Sequence, residues 1–174
     1  LRTAQVADQF LASWTMWEYK TFCLEDDASS SSDSQQAAFG SCKTGYGGHE
    51  LWTVSDGQEP QLNPVAGKKL ARTYAQRIAG IVQTMRFDAD TADFELVYQA
   101  NGAAALGSFA AAEAALTEIF LHEAWNYPTG FDVQVFPKDK AVAKKIGENK
   151  VGVMHTPLAK AGDMIRVRIT RKEA

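Results

Sequence analysis

The residues with the most chemical potential are few and widely spaced. Cys23 and Cys42 are the only cysteines, and they bracket the polar run from Glu25-Asp26-Asp27 through Ser29 to Asp33. Two readings fit them: unrelated reduced thiols, or a disulfide closing the loop. The disulfide is the expectation, because closing a loop of this length removes about 3 kcal/mol of unfolded-chain entropy. It would place the chain in an oxidising compartment, whether extracellular, secretory or lysosome-like. His49, His122 and His155 are too scattered to show metal-ligand spacing with two cysteines, so neither a metal nor another cofactor is expected. Gly45-Tyr46-Gly47-Gly48-His49 has no Lys-Ser/Thr after it and reads as a turn, not a phosphate loop. His122, Glu123 and Trp125 close one strand and read as sheet-edge residues. Lys138, Lys140, Lys144 and Lys145 read as a solvated face, with contact to anionic lipid headgroups as the sharper alternative.

The elements that would carry these residues fall into two groups. Ala4, Val6, Ala7, Phe10 and Leu11 recur at helical spacing, and Trp14 to Tyr19 then reads as an aromatic strand. A helix is expected from Asn63 to about Gly80, with Asn63 as N-cap, Pro64 at the first helical position and Gly80 as the stop. Beyond it the period becomes two. Met85–Asp88, Phe94–Tyr98, Thr117–Leu121, Phe131–Phe136 and Ile165–Ile169 read as short antiparallel strands divided by turns such as Pro128-Thr129-Gly130. The alanine-rich stretch 103–115 is either a loop or a short helix.

Composition sets the outer bounds. The 174 residues are 45% hydrophobic and 10% aromatic, enough to build a core and unlike a disordered tail. No apolar run approaches a membrane-spanning helix, and a net charge of −3 argues against a dedicated nucleic-acid binder. Residues 1–60 hold three Lys/Arg against nine Asp/Glu, while residues 61–174 hold fifteen against twelve. That asymmetry points to two structural contexts in one chain. Leu1 is not an initiator Met, and no signal-peptide pattern follows it, so the chain reads as a mature or nicked fragment.

Several local motifs resemble one family. Ser13-Trp14-Thr15-Met16-Trp17-Glu18-Tyr19-Lys20 resembles the eighth barrel strand of glycoside hydrolase family 5. Lys69-Leu70-Ala71-Arg72-Thr73-Tyr74-Ala75-Gln76-Arg77-Ile78-Ala79-Gly80 is similar to the barrel exit of its endoglycoceramidase-like branch. There a run close to Arg-Pro-Tyr-Pro-x-x-Ile-Ala-Gly leads into a C-terminal β-sandwich, and Thr73 and Ala75 stand here in place of the prolines. Phe87 to Tyr98, and Thr117–Leu121 with Tyr127-Pro128 and Gly130, resemble strand pairs of that sandwich.

The resemblance implies an α+β fragment: the final β/α unit of a (β/α)8 barrel over residues 1–80, then an immunoglobulin-like antiparallel β-sandwich over 81–174. It implies a retaining enzyme of β-glycosidic bonds in glycolipids or related glycosides, using two glutamates. These would lie at the ends of the fourth and seventh barrel strands, upstream of Leu1, so no catalytic residue is expected in this chain. Trp17 matches the tryptophan that floors the sugar at the point of cleavage, where barrel chemistry collects. Trp14 reads as barrel core, and Glu18 as a salt-bridge partner. The implied partners are the N-terminal catalytic barrel of the same protein and a β-glycoside substrate. The alternatives are a non-catalytic carbohydrate- or lipid-binding module, or a structural protein derived from a hydrolase.

Overall fold

The structure, a computed structural model, describes residues 2–12, 22–24, 40–41, 51–54, 58–101 and 116–173. The chain divides into two compact units, Leu1–Trp14 with Ala71–Ala174, and Thr15–Leu70.

The second of these is a small sheet followed by a helix. β1 (Phe22–Leu24) runs parallel to both β2 (Gly40–Ser41) and β3 (Trp52–Val54), and β4 (Gln61–Leu62) pairs antiparallel with β3. Helix α2 spans Pro64–Leu70. Its start follows the sequence signals: Pro64 opens it, and the carbonyl of Asn63 accepts the first helical bond from the amide of Gly67 at 2.8 Å. Its end does not. The helix expected to reach Gly80 stops at Leu70, and Tyr74–Arg77 forms strand β5 instead. The reason is tertiary. Ala75 turns toward the core and pairs with Ile119, while the Tyr74 ring lies 5.4 Å from that of Phe120. Cross-strand pairing of this kind overrides a weak helical period.

The larger unit opens with helix α1 (Arg2–Gln9). Two four-stranded antiparallel sheets follow. One is ordered β6–β7–β12–β9, made of Gly80–Phe87, Phe94–Asn101, Ala161–Arg171 and Phe131–Phe136. The other is ordered β10–β11–β8–β5, made of Ala141–Gly147, Lys150–His155, Leu116–Phe120 and Tyr74–Arg77. A four-residue helix, α3 (Glu123–Asn126), links β8 to β9. Alternation does the folding. Phe94, Leu96, Tyr98 and Ala100 point inward from β7, Ile165, Val167 and Ile169 from β12, and Val151 and Val153 from β11. These side chains share one core between the sheets, the large aliphatic and aromatic ones each contributing about 2 kcal/mol by leaving water. Gly80 is required where β6 begins, since a Cβ there would overlap the carbonyl of Gln99 on β7.

Strands β10 and β11 are absent from the alternating runs read in the sequence. Lys144 and Lys145 interrupt the period, and a register shift between Lys145 and Gly147 moves it again. The turn between them holds Asn149 at φ +56°, a left-handed position that asparagine tolerates. The alanine-rich segment 103–115 lies outside the described residues.

Candidate functional site

Three consecutive residues, Ala71-Arg72-Thr73, lead into β5, and buried side chains hold each of them. The carboxamide of Asn126, itself fully buried, donates to the carbonyl of Ala71 at 2.7 Å. The Arg72 guanidinium forms a buried ion pair with Asp8 of α1, donates to the carbonyl of Phe87, and lies 5.2 Å above the Phe87 ring. The hydroxyl of Tyr127 donates to the carbonyl of Ala92 at 2.9 Å. Its proton is thereby committed, so the Thr73 hydroxyl donates to the Tyr127 oxygen, also at 2.9 Å.

The electrostatics follow from burial. Removal from water pushes the Asp8 carboxyl above its ordinary range, and the Arg72 charge opposes the rise. Burial pushes the Tyr127 hydroxyl up to about 12, against the Thr73 bond that favours its ionised form. This junction is an anchor, built to hold the chain entering the sandwich to α1, to α3 and to the β6–β7 turn. Among the described residues no cluster of His, Cys, Asp and Glu could hold a metal ion.

None of Asp8, Arg72, Asn126 or Tyr127 stood out in the sequence as a site. The signal was present in the Arg72-Thr73-Tyr74 run and in Tyr127 before its Pro-Thr-Gly turn. Both motifs mark family resemblance without disclosing that their side chains meet.

The residues singled out from the sequence lie elsewhere. Trp17, Trp14, Glu18, Cys42 and His49 are outside the described residues. Cys23 sits in β1, in register with Gly40 of β2 and Thr53 of β3. The ring of His122 stacks on Trp125, with centroids 4.6 Å apart. Glu123 is tied on both oxygens: Lys145 donates to one at 2.6 Å and the amide of Asn149 to the other at 2.8 Å. The Lys145 hydrogen bond is the main influence holding its carboxyl below the usual range. Glu123 therefore fastens the β10–β11 turn to α3. Of the lysine cluster, Lys140 pairs with Asp163 and Lys145 with Glu123. On the opposite outer face, a shallow depression of about 350 Å³ is lined by Arg86, Asp88, Asp93, Glu95 and Arg168. Its charges largely answer one another, with Arg168 on Asp93 and Arg166 nearby on Glu95.

Comparison with known proteins gives this geometry a context. The family model for the glycoside hydrolase family 5 C-terminal domain matches residues 72–169, from the ion-paired Arg72 to the last inward residue of β12. An endoglycoceramidase of Cyanea nozakii is 25% identical over 175 residues, covering 99% of this chain and 29% of that protein. One from Hydra vulgaris is 26% identical over 136 residues, covering 78% of this chain and 20% of that protein. The chain thus spans less than a third of the length of either relative. Crystal structures of sterylglucosidase 1 from Cryptococcus neoformans align at 14% identity with TM-scores of 0.48 to 0.49, over 70–71% of this chain and 18–19% of theirs.

Proposed function

The chain belongs to the glycoside hydrolase family 5 C-terminal domain family, and from that premise we propose that it is the C-terminal portion of a retaining β-glycoside hydrolase acting on glycolipids or related β-glycosides. The match over residues 72–169 carries this reading. In it, the chain before the sandwich supplies the last β/α unit of the catalytic barrel, and an immunoglobulin-like sandwich whose first strand is β5 follows. The two glutamates, about 5 Å apart as in retaining enzymes, belong to the barrel upstream of Leu1. Trp17 stacks on the sugar at the point of cleavage. Val6 of α1 and Phe10 just after it are exposed, and that upstream portion would cover them. The same reading keeps a Cys23–Cys42 disulfide closing the acidic loop that the two cysteines bracket, and with it an extracellular, secretory or lysosome-like location.

The test is an assay of the intact enzyme containing this chain against glucosylceramide, a steryl glucoside and an aryl β-glucoside. Turnover of at least one, with Trp17→Ala lowering kcat/KM by about tenfold or more, supports the reading. Turnover by the isolated 174-residue chain, or none by the intact enzyme, overturns it. A second reading, a non-catalytic lipid-binding module, draws its support from the exposed face of the β10–β11 hairpin.

A further inference from the structure

We propose that the outer face of the β10–β11 hairpin, with the turns at its end, docks on an anionic lipid surface. The inference stands apart from the hydrolase reading, since it rests only on what this face presents.

The face is apolar at its centre. Val142 of β10 lies directly opposite Met154 of β11, and Met154 opposite Leu116 of β8, giving an aliphatic row across three strands. Ile146 leans toward Gly152, where a Cβ would stand 2.8 Å from its Cγ2 atom. Val142, Ile146 and Met154 are 51%, 46% and 51% exposed, and Leu158, in the turn after β11, is 60% exposed. That turn is fixed in place, because the Lys140 ammonium donates to the carbonyl of Leu158 at 2.9 Å and pairs with Asp163.

The same segment is strongly basic. Residues 136–160 carry six lysines against Asp139 and Glu148, a charge of +4 inside a chain of −3. Lys140, Lys145 and Lys150 are committed to acidic partners outside that stretch, Asp163, Glu123 and Glu118. Lys138 and Lys144 are exposed and hold no ion pair among the described residues, while the exposed Lys160 has the Asp163 carboxylate near its charge. Aliphatic side chains interleaved with lysines that hold no ion pair among the described residues match the boundary of an anionic bilayer, where the apolar groups enter and the ammonium groups meet headgroups. A protein partner fits less well. Protein interfaces concentrate Trp, Tyr and Arg at their centre and deplete Lys, the reverse of this face. The opposite sheet shows the contrast, since its Arg166 and Arg168 already have carboxylates.

The experiment is sedimentation of the 174-residue chain with sucrose-loaded vesicles of phosphatidylcholine and phosphatidylserine, about seven to three, against phosphatidylcholine alone. Binding is expected only to the anionic vesicles, falling as salt rises. Lys144→Glu and Lys160→Glu each weaken it about fivefold or more. Ile146→Glu with Met154→Glu weakens it about tenfold. Arg166→Glu, on the opposite face, leaves it unchanged. All these positions are exposed, and unchanged thermal unfolding verifies that each variant is folded. Equal binding to both vesicles, no binding, or full binding by the Ile146/Met154 variant overturns the proposal. Retention on heparin that is indifferent to Ile146→Glu also overturns it and assigns an acidic macromolecule. A dimer in solution that Ile146→Glu dissolves, without vesicle binding, assigns a second copy. The vesicles contain no glycoside, so failure here leaves the hydrolase reading standing, and failure of the glycoside assay leaves this proposal standing.

Discussion

The junction at Ala71–Thr73 and the outer face of the β10–β11 hairpin belong to the same compact unit and treat their polar groups in opposite ways. At the junction a guanidinium, a carboxylate, a carboxamide and a phenol are out of water and bonded to one another or to the backbone. On the hairpin face, ammonium groups stand in solvent beside half-exposed aliphatics, and Lys138 and Lys144 hold no acidic partner among the described residues. Buried polar groups favour internal partners, because leaving one unpaired costs more than the pair contributes. Each of these side chains makes at least one such bond, while Arg72 Nη1 and Asn126 Oδ1 have none among the described residues. Exposed groups are under no such demand. The junction therefore serves the fold, and the hairpin face is free to serve something else.

That contrast can be broken most forcefully at Asp8. Asp8→Ala leaves the Arg72 charge buried with only the Phe87 carbonyl and ring for company, and should lower unfolding free energy by about 3 to 5 kcal/mol. A loss under about 1 kcal/mol in urea titration would mean that Arg72 reaches water and the junction is no different from the surface. Next is Tyr127, whose folded pKa of about 12 stands above its ordinary 10. The fold prefers its protonated form, so the stability it contributes is intact below pH 10 and is lost as pH rises toward 12. That loss should amount to about 2 to 3 kcal/mol, and Tyr127→Phe should flatten this alkaline limb while lowering stability by about 1 to 3 kcal/mol. A limb unchanged in the variant would assign the titration to another group.

Smaller effects sharpen the comparison from the exposed side. The Glu123 carboxyl is held below its ordinary 4.5, so the stability it contributes is present above that value and is lost as pH falls below it. Glu123→Gln should reduce the slope of stability against pH in that acid window and change little at neutral pH. Smallest of all, Lys144→Glu should shift unfolding free energy by no more than about 0.5 kcal/mol. A large loss there would show that the hairpin face is integral to the fold, as the junction is.

Much of the sandwich was legible in the sequence, because β7, β9 and β12 bury every second side chain and a period of two survives any neighbour. Strand β5 was not legible. Its preference is set by Phe120 and Ile119, more than forty positions away, while the signals nearest to it belong to helix α2. The helix α1 was legible as a helix but not in how it is used. Its Val6 and the Phe10 that follows it are exposed, and its buried contact is the polar Asp8. The junction was hidden for the same reason, since a pairing across sixty-four positions leaves no local mark. Trp17 and Cys42 fall outside the described residues, so the stacking role rests on resemblance and the disulfide on the two cysteines bracketing one acidic loop.

Strand β5 carries a practical consequence for anyone producing the sandwich by itself. A polypeptide begun at Ile81, where sequence alone suggests the domain starts, would lack β5 and leave the backbone of β8 open along Leu116–Phe120. An unpaired edge with Ile119 and Phe120 on it is a template for another chain, and such a truncation should precipitate or form adventitious oligomers. Starting at or before Ala71 keeps that edge closed, and adding the α1 sequence restores the carboxylate that Arg72 needs.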